Sequence, residues 1–224
     1  MEDNQCFLDD TAAYLSSVHK ELILGELYYN AYRTIHSVYL FNHFNDYATQ
    51  LLLDRNEDKT EIYWNAAFDE RLIDRVKISI AFETYNKAVL LENGYLIHRI
   101  KKDLENKELF DKQENGYPIK LTDFLEVSSV VTSKFEKKTY LSGLRNNFDT
   151  IAYSVTLNPK YQEIIKIDAE LCGRLIKINK ERNKLHLFTN HYGAFIPEDH
   201  IQKWTYIRNK SIETIDNKYK ERRS

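Results

Sequence analysis

Three polar side chains near the carboxyl end of the chain have the types and the spacing that phosphodiester chemistry requires. Arg182, Asn183 and His186 lie close together, and a separation of four residues places Arg182 and His186 on one side of an α-helix. Arginine stabilises charge on phosphate oxygens, and histidine, with an unperturbed pKa of about 6.5, transfers protons near neutral pH. An RNA target supplies its own 2′-hydroxyl as nucleophile, so the sequence predicts Arg182, Asn183 and His186 as catalytic residues that need no metal.

The same stretch of sequence also has a simpler structural interpretation. Arg174, Lys177, Lys180, Arg182 and Lys184 form a basic run, which is typical of a solvated helix face near the helix C-terminus. In the catalytic interpretation, Lys180 and Lys184 become RNA-binding residues instead. The residue types alone leave both interpretations open.

Composition predicts the architecture that must position these side chains. The 224 residues are 42% hydrophobic, which is enough for a buried core, whereas 6 Gly and 3 Pro leave few tight turns for a β-sandwich or barrel. We therefore predict an all-α fold, in the form of an elongated bundle of about five to seven helices. We expect a single helical domain over residues 1–224.

Apolar residues at helical spacing place the predicted helices along the chain. N-terminal helices are expected within residues 1–55, and a second long segment begins near Ile62. Asn93-Gly94 interrupts that segment, because glycine readily adopts the left-handed conformation that ends a helix. A C-terminal helix is predicted over residues 198–220.

Turn residues divide the middle of the chain. The run Asn115-Gly116-Tyr117-Pro118 predicts a loop. Residues 121–131 are expected to form a short helix, or residues 127–132 to form a strand instead. Asn158-Pro159 marks a new helix start, since proline suits the first helical turn. From Pro159 to about Phe188 the sequence predicts one continuous helix.

The apolar stripe of that helix gives Arg182 an unusual position. Leu171, Leu175, Ile178, Arg182 and Leu185 follow one another at steps of three and four residues. A buried cation without a partner is costly. Removing one partner of a buried ion pair destabilises a protein by about 3–5 kcal/mol. We therefore expect Arg182 either to pair with an acidic side chain or to face a cleft.

Charge and cysteine content exclude several classes of function. The net charge of −2 provides no overall attraction to phosphate backbones, so any RNA binding must be local. The two cysteines, Cys6 and Cys172, are too few for a disulfide framework and favour a reducing, cytoplasmic setting. No targeting signal and no membrane-spanning apolar run is visible, so we expect no membrane contact.

Metal and cofactor sites are not predicted. The sequence has no glycine-rich phosphate loop, no His-Glu-x-x-His helix and no Cys-x-x-Cys pair. Glu198, Asp199 and His200 are adjacent, so on a helix they point in different directions. His36 and His43 have a spacing that allows one helix face, but ordinary hydrogen-bonding roles are the simpler interpretation.

Two stretches resemble the HEPN superfamily of all-helical prokaryotic defence and toxin-type domains. The first is Lys87 to His98, an apolar helix closed by Gly94 and followed by histidine, and the second is the Arg-Asn dipeptide on a later helix. The resemblance covers residues 62–190. It implies a homodimer in which two motifs, each an arginine and a histidine with four to six residues between them, face each other and cleave RNA without a metal.

This chain departs from the family pattern at the motif itself. Only three residues separate Arg182 from His186, one fewer than the resemblance requires. Arg145-Asn146 is the other candidate for the equivalent motif and for RNA contacts, but Thr150, Ile151 and Ala152 stand where a histidine is expected. The sequence does not decide which dipeptide is equivalent.

Two hypotheses follow from the sequence. The first is a metal-independent endoribonuclease of a prokaryotic defence or toxin system, with RNA as substrate and an antitoxin or other protein as partner. The second is a non-catalytic HEPN-like bundle that acts in dimerisation or in partner-protein binding. The position of Arg182 on the apolar stripe favours the first hypothesis, and the short interval between Arg182 and His186 favours the second.

Overall fold

The computed structural model describes residues 17–38, 57–100, 107–124, 150–184 and 198–224. Within these ranges, side chains are described except at residues 17–19, 57–72, 181, 183, 184 and 198–201. The described residues are mostly helical and contain no strand, which confirms the predicted all-α class. None of the described helices combines the length and hydropathy that crossing a bilayer requires.

Seven helices can be bounded in the described ranges. They are α1 (Ser17–His36), α2 (Glu57–Glu92), α3 (Lys107–Glu114), α4 (Tyr153–Thr156), α5 (Pro159–Ile165), α6 (Ala169–Lys184) and α7 (Glu198–Glu221). A further helical turn begins at Leu121. The long α2 and α7 agree with the second segment and the C-terminal helix expected from the sequence.

The chain divides into two compact units. One unit comprises Met1–Tyr28 with Thr84–Lys166, and the other comprises Tyr29–Glu83 with Ile167–Ser224. Two of the boundaries therefore fall within α1 and α2, and the third falls between α5 and α6. The prediction of a single helical domain over residues 1–224 stays a prediction.

The first unit is organised around the end of α2. Gly94 adopts a positive φ of 77°, and the backbone N–H of Tyr95 donates to the Leu90 carbonyl, so the helix ends where the sequence predicts. The chain that follows forms isolated antiparallel bridges, Tyr95 with Lys120 and His98 with Thr150. Backbone hydrogen bonds thus continue past the helix without building a sheet.

A buried glutamine completes the hydrogen bonding of this segment. The Gln113 amide donates to the His98 carbonyl at 2.9 Å, and its oxygen accepts from the Ile100 N–H at 2.7 Å. The side chain of Gln113, on α3, therefore takes the place that a neighbouring strand would occupy. Because a buried backbone polar group without a partner costs about 1–3 kcal/mol, this pairing explains why a polar residue is kept there.

The predicted continuous helix from Pro159 to Phe188 is wrong at Lys166. Lys166 adopts the left-handed conformation (φ 59°, ψ 40°) and ends α5, and the Asp168 carboxylate then accepts from the Leu171 N–H at 3.0 Å to begin α6. The apolar spacing continues across the break because Ile165, Ile167 and Leu171 are all buried. One apolar stripe can therefore run through two successive helices when an aspartate caps the start of the second helix.

The second unit contains α6 and α7, which pack against each other. Its core is built from apolar side chains of four helices, among them Ile35, Ile78, Phe82, Leu171, Leu175, Ile178, Trp204 and Ile215. Arg75 lies over the Trp204 ring with Cζ 5.3 Å from the centroid. This unit also contains Arg182.

Candidate functional site

Arg182 lies near the end of α6 and is paired with a carboxylate. Its Nη1 is 3.5 Å from Oε2 of Glu83 on α2, and the two side chains are 32% and 26% exposed. The stripe position therefore has the acidic partner that the sequence leads us to expect. The carboxylate offsets the positive charge of the guanidinium, so a phosphate approaching Arg182 meets Glu83 as well.

The other predicted site residues are only partly described. Lys180 is exposed on α6, and Asn183 and Lys184 belong to the last turn of that helix, although their side chains are not described. His186, Arg145 and Asn146 lie outside the described residues. The roles assigned to these residues therefore stay predictions.

A second group of side chains in the same unit was missed by the sequence reasoning. Tyr32 of α1 stacks on Tyr219 of α7, with ring centroids 4.4 Å apart and planes inclined by 21°. Arg223 lies on the edge of this pair, with Cζ 5.7 Å from the Tyr219 centroid and Nη1 3.3 Å from the Tyr219 hydroxyl. Beside them is a cavity of about 460 Å³, called here the Tyr–Arg groove, lined by Tyr32, Tyr219, Lys220, Arg223 and Ser224.

A network of polar contacts on α1 and α7 lies beside the groove. His36 Nε2 lies 2.7 Å from Oδ1 of Asp216, and Lys220 Nζ lies 3.6 Å from Oδ2 of the same carboxylate. The His36 ring also packs on Tyr32, at 4.4 Å between centroids. His36 thus has the hydrogen-bonding role expected from the sequence, and it positions Tyr32.

The sequence contained a weak signal for this groove. Tyr32 and His36 are four residues apart, as are Tyr219 and Arg223, so each pair lies on one face of its helix. Nothing local indicates that these two faces meet, because α1 and α7 stand at opposite ends of the sequence. Long-range packing alone brings the pairs together.

Other titratable groups are buried within the core rather than placed at a surface site. Burial, with a smaller contribution from Lys87, lowers the pKa of His98 to about 4. Burial raises the pKa of Tyr161 to about 12 and raises the pKa of the Cys172 thiol. All three side chains therefore remain neutral near pH 7.

Across the described ranges, no three His, Cys, Asp or Glu side chains are grouped so that they could hold a metal ion. The arrangements that the described residues offer include the Arg182–Glu83 ion pair and the Tyr–Arg groove.

Compared with protein-family models, with curated proteins and with solved structures, the chain has no match in any of the three. The HEPN resemblance therefore stays a prediction that depends on the sequence motifs. Function must be argued from the side chains and their surroundings.

Proposed function

We propose that this chain is a non-catalytic, HEPN-like helical binding protein that acts by self-association. The observation that carries the proposal is the ion pair between Arg182 and Glu83. A catalytic arginine must present its charge to the phosphate, whereas here a carboxylate lies 3.5 Å from the guanidinium. The pairing favours a structural role for the residue on which the enzyme hypothesis most depends.

Exposed isoleucines on α2 support self-association. Ile73 is 52% exposed and Ile80 is 43% exposed, and their spacing of seven residues places both on one face of the helix. Covering each isoleucine would contribute about 1 kcal/mol, roughly half of a full side-chain burial. A two-fold interface uses the same surface on both copies, so this contribution is doubled.

Size measurements over a range of protein concentrations test this proposal. We expect light scattering after gel filtration to give a mass that rises from 26.7 kDa toward twice that value as concentration increases. The double variant Ile73→Asp/Ile80→Asp should remain monomeric, because a charge at each position opposes burial.

Leu22→Asp provides the matched control. Leu22 is an exposed apolar residue of α1, at 64%, and it belongs to the other compact unit. We expect this variant to associate as the wild type does, with unchanged helical circular dichroism in all three proteins. A wild type that stays monomeric, or an isoleucine variant that still associates, would contradict the proposal.

The metal-independent endoribonuclease is the second candidate. The partial exposure of Arg182 and the exposure of Lys180 on the same helix favour it, since both cations remain accessible to a polyanion. Purified protein, Arg182→Ala and His186→Ala should each be incubated with total RNA in the presence of EDTA. We expect no cleavage by any of them, and cleavage by the wild type that His186→Ala abolishes would establish the enzyme instead.

A further inference from the structure

We propose that the Tyr–Arg groove binds a nucleotide unit, with its base on the tyrosine pair and its phosphate at Arg223 and Lys220. This inference goes beyond self-association and does not depend on it. The groove lies between α1 and α7, whereas the isoleucines proposed for self-association lie on α2.

The aromatic part of the groove suits a planar base. Tyr32 and Tyr219 are already stacked at 4.4 Å, so the rings need little reordering when a ligand adds to them. Tyr29 extends this surface, with its ring centroid 6.4 Å from that of Tyr219. Unpaired bases stack on tyrosine rings and on arginine planes, and every base offers a suitable face.

The cationic part of the groove suits a phosphate. Arg223 and Lys220 are both exposed and line the cavity, and the Lys220 side chain is 73% exposed. Asp216 partly offsets Lys220, whereas Arg223 donates a hydrogen bond to the Tyr219 hydroxyl. Arginine is therefore expected to supply the stronger phosphate contact, since its planar group can donate two parallel hydrogen bonds.

Size and local charge agree with this ligand class. A cavity of about 460 Å³ falls within the range of about 300–1,000 Å³ that is usual for small-molecule sites. The charged side chains that line the cavity, Lys220 and Arg223, are both basic, although the whole chain has a net charge of −2. The positive charge is thus concentrated beside the stacked tyrosines.

Fluorescence anisotropy with a short, labelled, single-stranded oligoadenylate tests the proposal. We expect saturable binding by the wild-type protein. Arg223→Ala should weaken it roughly tenfold or more, which corresponds to loss of a charged hydrogen bond. Tyr219→Leu should weaken it roughly fivefold or more through the lost stacking.

Arg174→Ala is the matched control for Arg223→Ala. Arg174 also lies over a tyrosine in the same unit, with Cζ 4.8 Å from the centroid of Tyr206, but it does not line the groove. We expect its affinity for the oligonucleotide to stay within about twofold of the wild type, as is usual for a surface charge away from the site. Arg223 is exposed and the Arg174 side chain is 25% exposed, so both variants should retain the wild-type circular dichroism.

Competition experiments show whether the ligand is a free nucleotide or part of a strand, and whether binding needs the base. Displacement of the oligonucleotide by adenosine monophosphate, but not by ribose 5-phosphate, would support a site for free nucleotides that needs the base. Displacement by neither small molecule, with binding that still depends on Arg223, would support a nucleotide within a strand. The proposal is overturned by absent binding, by equal losses in the two arginine variants, or by ribose 5-phosphate competing as well as adenosine monophosphate.

Discussion

The contact between Arg182 and Glu83 changes the role that is inferred for Arg182. The same arginine that predicts phosphate chemistry from its sequence neighbours has a carboxylate 3.5 Å away. Both side chains are about one-quarter to one-third exposed, so the pair contributes about 0–1 kcal/mol to stability. Its importance lies in the electrostatics of the site rather than in the energy of folding.

His98 is the residue whose titration should matter most for stability. It is 6% exposed, and burial followed by the charge of Lys87 lowers its pKa to about 4. The unfolded chain, with a histidine pKa of about 6.5, binds more protons than the folded chain between these two values. The neutral form of His98 therefore contributes stability above about pH 6.5, and this contribution is lost as the pH falls toward 4.

Urea unfolding between pH 7 and pH 4 measures this effect. We expect His98 to account for a loss on the order of 3 kcal/mol across that interval, and His98→Gln, which stays neutral, to remove this part of the slope. The Asp168 carboxylate accepts a hydrogen bond from the Leu171 N–H, which lowers the pKa of Asp168 below its usual value. Its protonation should therefore affect stability only at a pH below the usual range for aspartate. An unchanged slope in His98→Gln would show that another group causes the acid sensitivity.

At the scale of elements, helix ends were the features that the sequence predicted best. Gly94 ends α2 and Pro159 begins α5, as their local chemistry indicates. The break at Lys166 was missed because the apolar spacing on either side continues without a shift. The signal for it was Asp168, a capping residue inside an otherwise regular pattern.

Asn158 allows the capping contribution to be measured. Its Oδ1 accepts from the Tyr161 N–H at 3.1 Å, and its amide donates to the Gly116 carbonyl at 3.2 Å. We expect Asn158→Ala to lower the free energy of unfolding by about 1 kcal/mol or somewhat more, because both bonds are lost. Thermal and urea unfolding provide the measurement.

Asn158→Asp separates the two bonds. The carboxylate can still accept from the Tyr161 N–H and favours the helix N-terminus, but it cannot donate to the Gly116 carbonyl. We therefore expect this variant to fall between the wild type and Asn158→Ala. Equal losses in both variants would mean that the bond to Gly116, rather than the cap, carries the effect.

At the scale of the whole molecule, the two proposed interactions should respond differently to salt. Self-association through Ile73 and Ile80 depends on apolar burial, whereas nucleotide binding at Arg223 depends on charge. Raising the salt concentration from about 0.05 M to about 0.5 M should leave the first nearly unchanged and weaken the second. Sedimentation and anisotropy, measured in the same buffers, test both. Association that falls steeply with salt would indicate a charged interface instead.

The sequence by itself determined the helical class and several helix ends. Composition, apolar spacing, glycine and proline act over a few residues, so their effects can be read locally. Only the tertiary structure decided that Arg182 meets Glu83 and that Tyr32 stacks on Tyr219. Those partners are far apart in the chain, and they meet because packed helices bring together faces whose sequence patterns contain no information about each other.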